Sequence, residues 1–427
     1  MSSIKALQGT RTSHRYAVMF DKIPLWIKDK ITNDNLPDSK LWRVNNSLYD
    51  LTPYLKKHPG GVHWLETTQG MDVTDFYESF HLDQSKTSKI LEKYKVSEIT
   101  TERCTMYKFE PNGFYKTLQR RVLRTLGSDY KKTHFPQHCL HWFITIACVL
   151  CFIIGIKVKS VPIVIFGGLL LAAAMGTSHS LLHRKNSLSQ YVFDLSGFSM
   201  TGWRVSHSIS HHTYPNTAWD IEMAPFPMLE LLNDKQSFKS AKITFLVYHV
   251  LILVGLPVQA LIPIIANPFI STATFFKIFE FGYCYLACGS LKSALYWYLL
   301  FHISASYTFL LQSMNAAHHH SSMFHDNSSD EKVREQFKKK VDFGWFQLQA
   351  TKDRKETVKK WWLSPLVFGD HQLHHLFPTI DAGWLPRLYP VFEKTCREFG
   401  YEDSILMFSV AEMAGKNGIL RQLQKTS

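Results

Sequence analysis

Cysteine is scarce in this chain, and an apolar leader is missing. Seven cysteines are scattered through 427 residues, which excludes the disulfide framework of a small secreted domain. Cys148-x2-Cys151 has redox-motif spacing, but it lies in an apolar run, so we interpret both thiols as buried hydrophobic groups. The first 40 residues contain no apolar core with a small-residue cleavage site. We therefore predict no signal peptide and expect the amino-terminal part to stay in the cytosol.

Acidic side chains are in deficit. Lys and Arg number 48 against 35 Asp and Glu, for a net charge of +13. No basic stripe interleaved with stacking aromatics accompanies this charge, which argues against a nucleic-acid partner. The basic residues instead gather beside apolar runs, in 116–132, 338–340 and 352–360. Because the cytosolic flanks of membrane spans carry such residues, we predict membrane lipid as a partner and no nucleic acid.

Long apolar runs are present, and the positions of the histidine clusters between them limit how many of these runs can cross a membrane. We predict four transmembrane helices at about 141–156, 161–178, 243–266 and 293–314. Histidine clusters occur before residue 220 and after residue 370. They can share a site only if an even number of crossings separates them. Residues 273–290 are therefore expected to be interfacial or re-entrant.

Composition divides the chain into four parts. We predict an N-terminal lead (1–24), an α+β domain (25–108), a basic amphipathic connector (109–137) and an all-α integral membrane domain with a cytosolic helical cap (138–427). In the α+β domain, Leu41–Val44 and Ser47–Leu51 alternate like strands on either side of an Asn45-Asn46 turn. In the connector, residues 114–126 have the pattern of a basic amphipathic helix, which we expect to lie on the membrane surface.

A histidine pair in the α+β domain predicts a heme site. His58-Pro59-Gly60-Gly61 is followed by His81, 23 residues after the first histidine. Two imidazoles can ligate a heme iron from both axial sides, which fills its coordination sphere and leaves electron transfer as its task. The glycines permit a sharp turn after the first ligand, because glycine adopts positive φ without strain. His63, just beyond this turn, is expected to be exposed.

Three further histidine clusters predict a metal centre. They are His179-x3-His183, His207-x3-His211-His212 and His371-x2-His374-His375. The spacings put the imidazoles of a cluster one helical turn apart, so neighbouring rings can converge on one point. Eight histidines exceed the three or four ligands of a single zinc ion. We therefore predict two transition metals with open positions for oxygen.

The surroundings of these clusters supply further candidates. We expect His318 or His319, in the run Asn315-Ala316-Ala317-His318-His319-His320, to provide a ninth ligand; a solvated polar cap is the alternative interpretation. Asp220, Glu222 and Asp370 could each accept the second ring N–H of a ligand histidine. Such an acceptor fixes the tautomer of the ligand.

The order and spacing of the clusters resemble the histidine boxes of membrane fatty acid desaturases. The heme motif, with Trp42 and Tyr49-Asp50-Leu51-Thr52 upstream, resembles cytochrome b5 over about residues 40–100. The runs His374-His375-Leu376-Phe377-Pro378 and His211-His212-x2-Pro215-Asn216 resemble the desaturase branch with an amino-terminal cytochrome b5 domain. Gly113–Leu118 further resembles the insect cytochrome b5-related group.

The resemblance implies a function together with its cofactors and partners. Heme b would be ligated by His58 and His81, and two non-heme iron ions by the clustered histidines. The family implies an oxygen-dependent oxidoreductase that desaturates the acyl chain of a lipid or acyl-CoA and receives electrons from NADH-cytochrome b5 reductase through its own heme domain. It also implies a multi-pass protein of the endoplasmic reticulum membrane, with the heme domain and the clusters in the cytosol. The implied catalytic residues are His179, His183, His207, His211, His212, His371, His374 and His375.

Three departures from the family pattern leave the reaction open. Ser180 stands where the first box usually has Asp, His371 stands where such desaturases usually have Gln, and the second box is one residue wider. Three hypotheses follow: a desaturase, a lipid hydroxylase on the same scaffold, and a heme electron carrier with a catalytically silent desaturase-like membrane domain. The intact box histidines favour an enzyme, because a chain that had lost the activity would have no need to keep all eight of them.

Overall fold

The computed structural model describes most of the chain. The described residues are 22–185, 187–217, 219–223, 250, 253–257, 272–314, 318, 323–324, 339–405 and 407–409. His319, most of the predicted span 243–266 and the predicted lead up to residue 21 lie outside them.

The amino-terminal region is an α+β domain built on a small antiparallel sheet. Its elements are α1 (Lys22–Asp34), β1 (Trp42–Val44), β2 (Ser47–Tyr49), α2 (Val62–Thr67), α3 (Thr74–Phe80), α4 (Thr87–Glu92) and β3 (Lys95–Glu98). The strand order is β1-β2-β3. The two predicted strands are confirmed, and Asn45 adopts a φ of 54° in the turn between them. All three residues of β1 and of β2 are buried, so the sheet forms part of the core.

The rest of the described chain is mainly helical. Its elements are β4 (Tyr107–Lys108), α5 (Phe114–Leu126), α6 (Phe135–Lys157), α7 (Val161–His179), α8 (Met200–Trp203) with a π-helix (Arg204–His211), α9 (Thr272–Cys288), α10 (Leu291–Met314), β5 (Val341–Asp342), α11 (Phe343–Ala350), α12 (His371–Leu376) and α13 (Tyr389–Glu398). Short 3-10 segments cover Thr52–Lys57, Gly127–Lys131, Leu188–Ser196, Ile221–Met223, Ser364–Leu366, Ala382–Leu388 and Glu402–Ile405. β4 pairs in parallel with β5, which ties the end of the α+β domain to the carboxy-terminal cap.

The connector helix α5 is covered by protein, not by a membrane surface. It has the predicted amphipathic pattern, and Phe114, Tyr115, Leu118 and Val122 on its apolar face are fully buried. That face packs against α11 and α13 of the cap. The expectation of a membrane-surface helix is therefore wrong. An amphipathic pattern specifies that one face is buried, but it does not specify what buries it.

Helices α6 and α7 form an apolar hairpin. They are the two helices among the described residues that are long and apolar enough to cross a membrane. Large apolar side chains on the outer face of α6 are exposed, among them Phe143, Ile146 and Leu150. A soluble protein avoids such a continuous exposed apolar face, whereas lipid would cover it. The predicted spans 141–156 and 161–178 lie within this hairpin.

A second hairpin, formed by α9 and α10, packs on the first. Thr272 begins α9, and its side chain is hydrogen-bonded to Asp194 in the 3-10 segment that follows α7 in the chain. Tyr283, later in α9, donates a hydrogen bond of 2.7 Å to the carbonyl oxygen of Ile153, near the other end of the first hairpin. Helix α9 thus runs along the first hairpin. Residues 273–290, which we expected to be interfacial or re-entrant, are thus mostly part of a helix that packs on the first hairpin.

One hydrophobic core joins the α+β domain to the carboxy-terminal cap. It includes Trp42 and Phe76 of the α+β domain, Tyr115 of α5, and Phe343 and Leu373 of the cap. Side chains that belong to sites in both regions are therefore positioned by the same packing.

Candidate redox centres

The first candidate centre is the predicted heme pair. His58 and His81 face each other with their ring centres 6.3 Å apart. The Nδ1 atom of His58 lies 3.0 Å from the Gly61 carbonyl oxygen, and that of His81 lies 3.1 Å from the Tyr77 carbonyl oxygen. Because a carbonyl oxygen only accepts, both Nδ1 atoms carry the proton and both Nε2 lone pairs are free. Burial, with a further contribution from His58, lowers the pKa of His81 to about 4, so its ring is neutral near pH 7.

The Pro-Gly-Gly turn holds the first of these histidines. Gly61 has a φ of 105°, which bears out the predicted need for glycine. A Cβ atom added at Gly60 would lie 2.9 Å from Cε1 of His58 and 3.3 Å from Cδ1 of Trp64. The close approach of Gly60 therefore sets the position of the His58 ring.

A cavity of about 570 Å³ adjoins both histidines. Its lining is largely apolar and includes Val44, Leu51, Leu65, Phe76 and Ile90. A heme held by two histidines needs one imidazole nitrogen on each side of a large, mostly apolar porphyrin, and an apolar pocket around it. Two neutral imidazoles with free Nε2 atoms beside a cavity of this kind fit a heme.

His63 is half-buried, whereas we expected it to be exposed. Its ring packs against the indole of Trp64, with ring centres 6.3 Å apart. The guanidinium of Arg204 lies over the same indole, 5.1 Å from its ring centre. Because Arg204 belongs to the π-helix, the helical region covers this side of the α+β domain, and sequence position could not reveal that.

The second candidate centre brings nine histidines together. The eight box histidines and His318 are all buried. They form two groups, in each of which one ligand atom per residue lies within 4.8 Å of every other: group A contains His179, His183, His207, His212 and His374, and group B contains His211, His318, His371 and His375. We call groups A and B together the nine-histidine centre. The structure thus places His318, the expected ninth candidate, among the boxes.

Two of the boxes lie at the ends of helices. His179 is the last residue of α7, and His183 follows one turn later. His371 is the first residue of α12, and its N–H donates a hydrogen bond of 2.6 Å to Oδ1 of Asp353. The N–H of Gln372 donates to the same oxygen at 3.2 Å. A buried carboxylate thus holds the start of the third box, because the first N–H groups of a helix have no partner within it.

The second box lies in the π-helix, and this geometry accounts for its extra residue. The N–H of His212 donates to the carbonyl oxygen of His207, five residues earlier, at 2.9 Å. The ring of His207 therefore faces both His211 and His212, with ring centres 5.2 Å and 4.6 Å apart. In an α-helix, spacings of three and four residues bring side chains together. A π-helical turn takes in one more residue, so spacings of four and five produce the same convergence.

Hydrogen bonds to Nδ1 orient four of the nine rings. The pairs are His207 with Glu222 Oε2 (2.8 Å), His211 with Asp220 Oδ2 (2.8 Å), His318 with the Ala350 carbonyl oxygen (3.0 Å) and His375 with Gln347 Oε1 (3.0 Å). These acceptors keep the proton on Nδ1 and leave Nε2 directed to the centre. The contacts of Asp220 and Glu222 agree with the expected acceptor role.

The remaining acceptors differ from the expectation. Oδ1 of Asp370 accepts a hydrogen bond of 2.6 Å from the N–H of Lys359, so the role expected for Asp370 on a ligand histidine is wrong. Gln347 is a partner that the sequence did not reveal. Its amide donates to the His212 carbonyl oxygen at 3.1 Å, which leaves Oε1 for His375. A glutamine 28 residues before its partner carries no sequence signal of this role.

Burial keeps most of these imidazoles neutral. Burial, followed by the neighbouring imidazoles, holds the pKa well below its usual range for His183, His207, His212, His371 and His375. The same burial lowers the pKa of His374 to about 3. His211 differs: burial lowers its pKa, but the Asp220 carboxylate outweighs burial and the pKa is raised. The neutral imidazole is the form that binds a metal ion.

The donor set fits metal ions. Nε2 atoms approach one another at 2.6 Å between His179 and His207, and at 3.0 Å between His318 and His371. Within the described residues, the buried Nε2 atoms of His374 and His375 have no hydrogen-bond partner. Neutral imidazole nitrogens packed this closely would be stabilised by a cation, and imidazole suits iron, copper and zinc. The residues therefore fit two ions, one in each group.

Two departures from the family pattern occupy defined places. Ser180 donates a hydrogen bond of 3.2 Å to the Thr177 carbonyl oxygen in the last turn of α7. His371, which stands where an amide is usual, belongs to group B and adds a ring nitrogen to it. The substitution at residue 371 thus preserves a donor at the centre.

Comparison with known proteins shows similarity to two families. Residues 159–404 match the fatty acid desaturase family, and residues 28–100 match the cytochrome b5-like heme/steroid binding domain. The chain is 31% identical over 392 residues to the cytochrome b5-related protein of Drosophila melanogaster, which covers 88% of this chain and 86% of that protein. It is 26% identical over 216 residues to the probable Delta(5) fatty acid desaturase C of Dictyostelium discoideum, 46% of each chain. No solved structure matches it significantly.

The two matching families coincide with the two candidate centres. The cytochrome b5-like match contains His58 and His81, and the desaturase match contains the nine-histidine centre. The resemblance of the histidine boxes, and that to the insect cytochrome b5-related group, is confirmed. The chain belongs to the fatty acid desaturase family and carries a cytochrome b5-like domain on its amino-terminal side.

Proposed function

We propose that this chain is a membrane-bound, oxygen-dependent desaturase of fatty acyl or lipid chains. The observation that carries the proposal is the presence, in one chain, of a nine-histidine centre and a site that fits heme. In this proposal His58 and His81 bind heme b, and groups A and B each bind one non-heme iron ion. The substrates are O2 and a lipid or acyl-CoA, and NADH-cytochrome b5 reductase reduces the heme.

The proposed reaction balances in electrons and protons. Two iron ions with open coordination positions would supply the reduction of O2 and the removal of hydrogen from an unactivated methylene. The donor supplies two electrons, solvent supplies two protons, and the two broken C–H bonds supply two electrons and two protons. Together these four electrons and four protons reduce O2 to two waters as the double bond forms. The protein itself contributes to this chemistry in two ways: it positions the ligand rings, and it excludes water. Asp220, Glu222 and Gln347 hold the rings of His211, His207 and His375, and burial keeps bulk water out.

The short distance between the two centres supports electron delivery within the chain. Phe80 precedes the heme-type ligand His81, and its ring centre lies 6.1 Å from that of His183 in group A. Because donor and acceptor belong to one chain, the effective concentration of the donor is high and no second protein must find the site. This geometry favours the fused arrangement that we propose.

We propose that α6, α7, α9 and α10 cross the endoplasmic reticulum membrane. In this proposal both hairpins begin and end on the side of the nine-histidine centre, as α7 does at His179, so that centre and the α+β domain would share the cytosolic face. Exposed Trp361 and Trp362 follow Lys359 and Lys360, and the Trp361 ring lies 5.4 Å from that of His134, just before α6. Trp and Lys are typical of a membrane interface. Within the described residues, α9 and α10 would supply an even number of crossings between the second and third boxes; most of the predicted span 243–266 lies outside those residues.

Two alternatives share this scaffold. A heme electron carrier with a silent membrane domain has no need of nine buried, convergent histidines, four of them with an Nδ1 acceptor. That arrangement favours an enzyme. A lipid hydroxylase would use the same residues and differ only in how the substrate radical is quenched, so product analysis separates it from a desaturase.

Metal analysis and lipid profiling of protein expressed in yeast test the proposal. We expect about two iron ions per chain beyond the heme iron, and a lipid product with one added double bond. His374→Ala removes a donor of group A and should abolish the product. His138→Gln is the matched control, because this half-buried histidine lies outside both groups and should retain the product.

Two outcomes would contradict the proposal. The first is a total of one iron ion per chain, the heme iron included. The second is a lipid profile that is identical in wild type and His374→Ala across a range of supplied fatty acids; the electron-carrier alternative would then be favoured. A hydroxylated product that requires His374 would establish the hydroxylase instead.

A further inference from the structure

The cavity beside His58 and His81 is not enclosed by the α+β domain alone. Part of its wall comes from Lys131, which precedes α6, and another part from His183, Arg184, Lys185 and Ile209 of the region that matches the desaturase family. The cavity therefore lies between the two domains, and the group that fills it would contact both.

The charged residues of this wall are mostly cationic. Lys86, Lys131, Arg184 and Lys185 line the cavity, against one carboxylate, that of Asp83. Arg184 is already engaged by Asp381, with Nη1 and Oδ2 2.5 Å apart. The three lysines are exposed at the rim, and the ammonium of Lys131 lies 5.0 Å from the ring centre of Tyr130, which also lines the cavity. Flexible ammonium groups at such a rim can reach an anion and remain hydrated.

An apolar cavity with a cationic rim fits an apolar ligand that carries carboxylates. A heme has this character, because its porphyrin is apolar and bears two carboxylate groups. Two of the three rim lysines, Lys131 and Lys185, lie outside residues 28–100, which match the cytochrome b5-like domain. Opposite charges at such a rim attract, and the attraction strengthens as water is displaced.

We propose that the heme site is shared, with Lys131 of the connector and Lys185 of the desaturase region binding the heme carboxylates. The inference rests on the proposed function, in that it requires heme at His58 and His81. It adds that the desaturase domain takes part in holding the cofactor. The heme would thereby be kept against the wall that includes His183, which belongs to group A.

The rate of heme release from the full chain tests this inference. The full-length protein in detergent micelles is loaded with hemin, and transfer to excess apomyoglobin is followed by the heme absorption band. We expect the double variant Lys131→Gln/Lys185→Gln to release heme about fivefold to tenfold faster than wild type, as the loss of two exposed ion pairs predicts. The control is Lys93→Gln/Lys132→Gln, which removes the same charge from exposed lysines that do not line the cavity.

A second ligand separates loss of carboxylate binding from general damage. Heme dimethyl ester has no free carboxylate, so wild type should release it faster than heme. In the double variant the difference between the two ligands should shrink, because Lys86 is then the one rim lysine left to bind a carboxylate. This ratio is measured within one protein and does not depend on the overall stability of the variant.

The results of these experiments distinguish failure of the shared heme site from failure of the proposed function. If the double variant and its control release heme at the same rate, and wild type does not distinguish heme from its ester, the shared site is overturned while the proposed function stands. If wild type binds no hemin at all, or binds it without the absorption of a bis-histidine heme, the heme part of the proposed function fails, and the shared site fails with it.

Discussion

The heme-type site and the nine-histidine centre use the same side chain in two different ways. The rings of His58 and His81 face each other across 6.3 Å, beside a cavity of about 570 Å³. In the nine-histidine centre the rings contact one another, and the Nε2 atoms of His179 and His207 are 2.6 Å apart. The first arrangement leaves room for a large flat cofactor, whereas the second suits single ions.

The two sites also differ in how far along the chain their histidines lie. The heme pair is 23 residues apart within one small domain, and each Nδ1 is held by a carbonyl oxygen three or four residues away. The nine histidines extend from His179 to His375, and the acceptor of His318 is 32 residues distant. A site built from local contacts can be recognised from a short motif. A site assembled from distant segments depends on the packing of the whole chain.

Removing one ligand from each site should separate the two centres, with the largest expected effect. His81→Ala should abolish heme binding while about two non-heme iron ions remain. His374→Ala should retain heme but lose the iron of group A. Product formation should fall at least about 100-fold, because loss of a metal ligand costs more than loss of a residue that hydrogen-bonds to a ligand. Heme absorption and iron content of the same preparations report both. Loss of both cofactors from either folded variant would contradict the independence of the centres.

Asp220→Asn tests whether acceptors remote from the ions tune the nine-histidine centre. The amide is uncharged and can present a donor to His211, so iron affinity should fall about 10-fold to 100-fold. Chelator competition measures the affinity. Asp194→Asn is the control, since this buried carboxylate accepts from the N–H of Met200 outside both centres. Equal losses in the two variants would show a general effect of removing a buried charge.

Gly60→Ala tests the local construction of the heme site. The added Cβ would lie 2.9 Å from Cε1 of His58, so the ring must shift, and heme release should accelerate several-fold, on the order of tenfold. Iron content should not change. Gly282→Ala adds the same atom where nothing lies within 4 Å and should leave both cofactors in place. Unchanged heme release in Gly60→Ala would show that the turn does not set the ring position.

Deletion of Ser208 should have the smallest effect. The deletion converts the second box to the narrower histidine spacing of the family. An α-helical turn brings histidines at that spacing to one face, just as the π-helix does for the present spacing. Iron affinity should therefore fall by less than about 10-fold. Deletion of Leu373 from the third box, by contrast, rotates His374 and His375 away from His371 and should remove iron. If both deletions lose iron equally, the π-helix does not compensate for the extra residue.

Short-range patterns in the sequence predicted several features correctly. The strands on either side of Asn45-Asn46 and the turn at Gly61 are present because strand alternation and glycine conformation are local properties. The helical hairpin α6–α7 follows from two long apolar runs. The convergence of the imidazoles of each box on one face also follows from helical spacing, although in the second box the helix is a π-helix.

Features that depend on what covers a surface were not predictable in the same way. The apolar face of α5 is buried by the cap, and His63 is half-buried beside Arg204, since the two regions pack together. The packing of α9 on α10 was likewise not predictable, because hydropathy does not show which helices pair. Gln347 holds His375 only because α11 and α12 are neighbours in space.

The sequence by itself determined which chemistry this protein can carry: imidazole donors in boxes, a histidine pair around a glycine turn, and apolar helices beside them. Only the tertiary structure decided how those donors are shared, five in group A and four in group B, and that the cavity beside His58 and His81 also touches His183. The physical reason is that residue spacing sets directions within one helical turn. Distances between segments are set by the burial of apolar surface contributed by the whole chain.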